Sequence, residues 1–351
     1  MNPDDPPASF DFRMPAEWEP HAATWLAWPH ERSDWPGKFH PIPWVYTEIV
    51  RAVSRHEVVN LIVPPGDRSA ERCLSEANVD TANVRLLPLK TDRSWVRDSG
   101  PIFVVNDAGE KLALDWRFNA WAKYDNWTHD DLIPAFAAWE SGVRTRQPFC
   151  RGWRVVLEGG SIDVNGRGLM LTTEECLLST TQHRNPPMDR GDYERVFADY
   201  LGVKQVIWLN KGIAGDDTHG HVDDLARFVN ESTVVTVVED DPADENYAPL
   251  QENLERLRAV QGLEVVPLPM PRKRGHGPLR LPASYANFYI ANGVVIVPTF
   301  NDPKDRIALG TLSELFPDRE VVGIHCVDLV WGLGTLHCMT QQEPASGASP
   351  A

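Results

Sequence analysis

A phrase of about sixty residues returns along this chain, and no other feature of the sequence restricts its fold as much. The phrase is two short β-prone runs joined by an Asn/Asp/Gly turn, then a helical pattern, then another β-prone run. The paired runs are 101–105 and 111–114 around NDAG, 161–164 and 169–172 around NGRG, 225–229 and 233–238 around NES, and 287–290 and 294–298 around ANG. Apolar runs broken by such turns are hairpin signals. Helical spacing of apolar residues appears at 44–55, 131–139, 192–201, 250–260 and 306–315. A β-rich run succeeds each of these, at 58–63, 154–157, 205–209, 263–267 and 320–324. Landmarks near the first strand of successive units are Asp98, Glu158, His221, Asn287 and Cys338, separated by 60, 63, 66 and 51 residues. A near-constant period signals repeated supersecondary units that share one core. It also carries a chemical expectation. If the units are arranged radially, their equivalent positions face one axis, and these side chains meet there.

The chain of 351 residues, 42% hydrophobic and 24% charged, can bury a full core without disulfides or a structural metal. No Pro/Gly/Ser-rich linker divides it, so 10–344 reads as a single domain, with 1–9 and 345–351 as flexible tails. The net charge of −16 argues against nucleic acid and anionic membrane partners and suits a cationic substrate. No apolar run approaches the roughly 18 residues of a membrane span. The N-terminus lacks the basic and apolar regions of a secretory signal. Five scattered cysteines without a CxxC read as free thiols in a reducing compartment, so a cytoplasmic location is expected.

Four segments carry chemistry. Cys338 lies in GLGTLHCMTQQ, where His337 could lower the thiol pKa. The alternative, a buried apolar-like thiol, suits Cys73, Cys150, Cys176 and Cys326. The segment 216–224, DDTHGHVDD, packs four carboxylates and two histidines. Strand alternation would point His219, His221 and Asp223 one way. That set reads either as a Zn²⁺ or Mn²⁺ site or as an acid/base histidine beside a carboxylate that grips a cation. No HxxxH or HExxH accompanies it. In WVRDSGP, Asp98 is either a turn former or a ligand, Arg97 its candidate ion-pair partner, and Trp95 an aromatic face for an alkyl chain or a cation. Glu158 stands between an apolar run and two glycines, an odd place for a merely solubilising charge. No GxxxxGK[ST] loop or GxSxG elbow is present.

In chain order, RSWVRDSGP, LEGGSID, DDTHGHVDDLARF and GLGTLHCMTQQEP resemble the four motifs of the agmatine deiminase family. That family includes the bacterial-type peptidyl-arginine deiminases and belongs to the guanidine-modifying superfamily. MPAEWEPHAATWLAWPH resembles its N-terminal block, so the likeness runs from Met14 to Pro344. It implies the pentein fold, an α/β propeller of five ββαβ units around a pseudo-fivefold axis, with no cofactor and no metal. By the resemblance, Cys338 is the nucleophile and His221 the general acid/base. Asp98 and Asp223 hold the guanidinium, Glu158 supports His221 and the reacting nitrogens, and Trp95 lines the substrate channel. The implied reaction is hydrolysis of agmatine to N-carbamoylputrescine and ammonia, in putrescine and polyamine biosynthesis, with homo-oligomerisation left open. Two departures bear on the substrate: WGLGTLHC where agmatine deiminases read more like GGGNIHC, and His219 and Asp224 in the acidic segment. A peptidyl arginine or another guanidine therefore stays open, with Arg184, Arg227 or Arg306 as candidates to meet a substrate carboxylate. A metal-dependent hydrolase built on His219, His221 and Asp223, and a non-catalytic polyamine-binding module, are the remaining alternatives.

Overall fold

Each sequence phrase folds into its own small sheet. The computed structural model describes residues 5–276 and 279–346. Ile102–Val105 pairs antiparallel with Lys111–Leu114, which runs parallel to Arg144–Arg146 across the helix Ile133–Glu140. Asp163–Val164, Leu169–Thr173 and Gln205–Leu209 repeat that order around the helix Arg190–Leu201. Ala226–Phe228, Thr233–Val238 and Glu264–Pro269 do so around Tyr247–Arg258. Tyr289–Ile290, Val294–Thr299 and Glu320–His325 do so around Asp305–Leu315. The fifth sheet joins the two ends of the chain. Gln341–Pro344 lies antiparallel to His21–Ala27, which is parallel to Val58–Val63 across Ile42–Ser54, and Val84–Pro88 adds a further parallel strand. The unit that opens just after Cys338 is thus completed by the start of the chain.

The sequences of these elements explain their places. Strands such as TVVTVV and VVIVPT are paired on both sides and almost wholly buried, so they read as continuous apolar runs rather than alternating ones. Each buried Val or Ile contributes about 1.5–3 kcal/mol by leaving water. The crossover helices exist because parallel strands cannot be joined by a tight turn. Arg190–Leu201 shows how the ends are fixed. Asp189 accepts from the Asp192 amide at 3.0 Å, and Asp192 accepts from the Asp189 amide at 3.1 Å. The helix stops at Gly202, whose φ of 68° strains any side chain and whose Cβ would crowd the Phe12 carbonyl at 3.0 Å. The turn Leu336–Met339 that carries Cys338 packs on the largest buried cluster, together with Val235, Val295 and Val297.

Two expectations are corrected. The run 154–157 is not the third strand of its unit; Arg144–Arg146 is. Arg154 instead pairs with Phe149 in the hairpin of Phe149–Cys150 and Trp153–Arg154; the buried residues that follow make only one bridge, Val156 to Arg117, and the Asn185 side-chain amide takes both backbone groups of Val156, at 2.9 and 2.8 Å. Residues 1–4 and 347–351, assigned to flexible tails, lie outside the described residues. Pro7–Phe10, assigned mostly to the same tail, forms a 3₁₀ turn with Pro7 buried. Among the described residues no helix is long and apolar enough to cross a membrane.

Candidate active site

The five landmarks come together. Each sits a few residues before the first strand of its sheet, four of them in or beside a single helical turn (Val96–Ser99, Gly159–Ser161, Val222–Asp224 and Leu336–Met339) and Asn287 in the irregular segment before Tyr289–Ile290. His221 Nδ1 lies 3.7 Å from Asp98 Oδ1, and His221 Nε2 lies 3.6 Å from Glu158 Oε2. Cys338 Sγ is 3.1 Å from Asn287 Nδ2 and 3.7 Å from Asp223 Oδ2. Gly160 makes this convergence feasible. A Cβ there would stand 2.6 Å from His221 Nδ1, 2.9 Å from Asp98 Oδ1 and 3.0 Å from Asp223 Oδ2. Instead the Gly160 amide donates to Asp98 Oδ1 at 3.0 Å.

Burial sets the charges. Asp98 is pushed up to about 6 by burial and by the neighbouring Asp223 and Glu158, against the pull of His221 and a 2.8 Å bond from Trp121 Nε1. Burial would also raise Glu158, but the Arg184 guanidinium and His221 outweigh it and bring the carboxyl to about 2. Burial opposes the His221 cation, yet Asp98 above all holds this ring well above the usual imidazole range. Cys338 is driven well above an ordinary thiol by burial and then by Asp223, Asp224 and Asp98. Asp223 stays below the usual carboxylate range because His337 and His221 overcome its burial. Asp224, beside it, is raised well above that range by burial and by Asp223.

A cavity of about 490 Å³ reaches Cys338, Asp98, Trp95 and Trp121. Trp95 stacks on Trp35 at 5.4 Å and donates to Asp34 at 3.0 Å. Gly334 opposes it, with room for no side chain: a Cβ would meet the Trp95 ring at 2.8 Å and Cys338 Sγ at 3.2 Å. Asp217 also lines the cavity, held by Tyr124 at 2.7 Å and by Lys123. Asp34 pairs with Arg93, whose guanidinium sits 4.2 Å from the Tyr124 ring centre.

All six residues singled out as site residues (Cys338, His221, Glu158, Asp98, Asp223 and Trp95) are therefore gathered around one buried space. Other sequence expectations change. The segment 216–224 is not a strand: His219 has φ 67° and Gly220 φ 95°, and Val222–Asp224 is a 3₁₀ turn. Alternation is broken, so His219 turns to Ser179 Oγ at 3.1 Å. His219, His221 and Asp223 do not form a metal-ligating set among the described residues; the set that does cluster is Glu158, Cys176 and His221. Arg97 does not pair with Asp98 but with Glu17 and Gln342. His337 faces Asp223 at 2.7 Å and Glu17 at 2.8 Å, so it reaches the thiol through Asp223. None of the candidate arginines lines the cavity, where it could meet a substrate carboxylate. Arg184 is committed to Glu158, Arg227 to Glu17 and Asp163, and Arg306 lies exposed on the helix Asp305–Leu315.

Sequence reasoning missed several residues. Glu17 anchors Arg97, Arg227 and His337 from the N-terminal block; its acid between Ala16 and Trp18 was the only local signal. Asn287 was a repeat landmark without a role. Trp121 and Cys176 carry no local signal at all.

Comparison with known proteins gives a consistent set of relatives. Residues 13–344 match the family described as Porphyromonas-type peptidyl-arginine deiminase. The agmatine deiminase of Pseudomonas aeruginosa (strain LESB58) is 38% identical over 372 residues, covering 98% of each chain. The solved agmatine deiminase of Enterococcus faecalis is 34% identical with a TM-score of 0.89, over 97% of this chain and 98% of its own. A C. jejuni agmatine deiminase solved with substrate bound is 33% identical with a TM-score of 0.86, over 95% and 97%.

Proposed function

The chain belongs to the Porphyromonas-type peptidyl-arginine deiminase family, and on that footing we propose that it is an agmatine deiminase, hydrolysing agmatine to N-carbamoylputrescine and ammonia. We read its five sheets as the blades of a pentein propeller around a pseudo-fivefold axis, on which the five landmarks meet.

The observation that carries the reading is a set of buried polar atoms without partners. Glu158 Oε2, Asp223 Oδ1 and both ring nitrogens of His221 are buried with no hydrogen bond, and the Asp223 side chain stands 3.7 Å from Cys338 Sγ. Buried polar atoms are costly to leave unpaired. A guanidinium brings planar N–H donors and a positive charge, the complement of these carboxylates. Asp98 and Asp223 hold it, and Glu158 accepts from its nitrogens and supports His221. Trp95 and Trp121 flank the chain that leads in.

Before the cation arrives Cys338 is a thiol, by the same burial and acids that raise it. The arriving cation offsets those acids and favours loss of its proton to solvent. The thiolate adds to the guanidinium carbon. His221, held as imidazolium by Asp98, gives a proton to the departing nitrogen, and the C–N bond breaks to release ammonia and leave an S-alkylthiouronium. His221 then takes a proton from water. The hydroxide adds to the same carbon, the C–S bond breaks to return the thiolate, and the added hydroxyl gives its proton to solvent to leave the ureido product.

The test is ammonia release from agmatine with EDTA present, alongside arginine, an arginine-ending peptide and Cys338→Ser. Release from agmatine that persists in EDTA and vanishes in the variant is expected. Turnover of the peptide alone would move the substrate to a peptidyl arginine, and full activity in Cys338→Ser would sink the mechanism.

A further inference from the structure

One buried thiol beside His221 has no part in the deimination. Cys176 lies in the helical turn Glu174–Leu178, where its amide donates to Thr173 Oγ at 3.0 Å, and it is 1% exposed. Its sulfur, a ring nitrogen of His221 and a carboxylate oxygen of Glu158 all lie within 4.8 Å of one another. Glu158 and His221 are 0% and 1% exposed. Glu158 Oε2 and both His221 nitrogens have no hydrogen-bond partner. Arg184 occupies only the other oxygen, Glu158 Oε1.

The spacing suits a tetrahedral ion. Bonds of about 2.0–2.3 Å to N, O and S place neighbouring Zn²⁺ ligands about 3.5 Å apart. His221 Nε2 and Glu158 Oε2 already stand 3.6 Å apart. A thiolate and an imidazole select Zn²⁺ over Mg²⁺ or Ca²⁺. Asp98, 3.7 Å from His221 Nδ1, adds negative charge beside the ring.

We infer that Glu158, Cys176 and His221 form an inhibitory site for a thiophilic divalent cation, Zn²⁺ above all, which competes with the guanidinium for His221 and Glu158. Binding releases the Cys176 thiol proton to solvent, and a second proton from His221 where the ring is imidazolium. The ring lone pair is then committed to the ion, so the ring no longer moves protons. The inhibition rests on the deiminase reading; the binding of the ion does not.

Both are tested on the metal-free full chain. Co²⁺, as a spectroscopic stand-in, is titrated into the wild type, Cys176→Ser and Cys338→Ser, and agmatine turnover is assayed against Zn²⁺. A thiolate-to-cobalt charge-transfer band should form in the wild type and in Cys338→Ser, be displaced by Zn²⁺, and be missing from Cys176→Ser. Inhibition by Zn²⁺ should be reversed by EDTA and weakened at least about tenfold in Cys176→Ser and in Cys176→Ala. A band that survives in Cys176→Ser, disappears in Cys338→Ser or never forms in the wild type overturns the site. If no protein turns over agmatine, the deiminase reading fails and the cobalt spectra still decide the site.

Discussion

Asn287 and Cys338, 51 residues apart in the chain, meet with the amide nitrogen 3.1 Å from the sulfur. The same amide's oxygen accepts from Thr335 Oγ1 at 2.8 Å and from the His337 amide at 3.1 Å. One side chain therefore braces the turn that carries the thiol and supplies a donor to its sulfur. Around it, Asp223, Asp224 and Asp98 all oppose a thiolate.

Asn287→Ala removes that donor. A hydrogen bond to a charged group is worth about 1.5–3 kcal/mol, so kcat should fall about 10- to 100-fold. The pH dependence of Cys338 alkylation by iodoacetamide should move to higher pH. An unchanged alkylation profile would show that the amide does not stabilise the thiolate.

Gly160→Ala places a methyl among His221, Asp98 and Asp223, at 2.6 to 3.0 Å. If these three groups act as proposed, displacing them by about 1 Å costs on the order of 100-fold in rate. Overpacking costs about 1–3 kcal/mol of stability, less than would unfold a domain. Steady-state kinetics beside thermal melting should thus show a folded protein with kcat/KM lowered at least about 100-fold. Near-normal activity would mean the three side chains do not work as a set.

A carboxylate binds a cation only when ionised; on the proposed role of Asp98 as a guanidinium ligand, its carboxyl, pushed up to about 6, sets that limit. The acid limb of kcat/KM should therefore break near pH 6 rather than near 4, and Asp98→Asn should abolish most activity at every pH. The sign for stability is opposite. A carboxyl raised from 3.8 to about 6 contributes stability that is full below 3.8 and lost as pH rises through 6. Urea unfolding across that window should show less loss with rising pH in Asp98→Asn than in the wild type.

Arg184 and Glu158 are both fully buried and 3.1 Å apart. Removing one partner leaves an uncompensated charge, which costs about 3–5 kcal/mol. Glu158 is depressed from 4.5 to about 2, so its contribution is present above 4.5 and lost as pH falls through 2. Arg184→Ala should lower the urea midpoint at neutral pH and make the protein unfold at a higher pH on acidification. An unaltered midpoint would show that the pair contributes nothing net.

The sequence made the site largely legible because the site follows the repeat. Asp98, Glu158, His221 and Cys338 stand at equivalent places in successive units, so their spacing along the chain foretold their meeting. What stayed hidden lacked local pattern. Glu17 reaches His337 across 320 residues, and Trp121 reaches Asp98 only because Asn119–Lys123 turns through residues of positive φ. The β-run expected at 154–157 is paired only at Arg154 and by one bridge at Val156, and Asn185, about thirty residues on, takes the remaining bonds of Val156.

Hairpins, helices and the identity of the chemical groups were determined by the sequence alone, since turn residues and apolar periodicity act over a few neighbours. Tertiary structure decided which groups face one another. His219 and His221 are two residues apart, yet positive φ at His219 and Gly220 sends one to Ser179 and the other between Asp98 and Glu158. The closure of the fifth sheet, Trp25 opposite Gln341, was likewise decided by packing between the chain's two ends. No local rule reaches that far: long-range pairing is fixed by which buried surfaces and buried polar groups can be satisfied together.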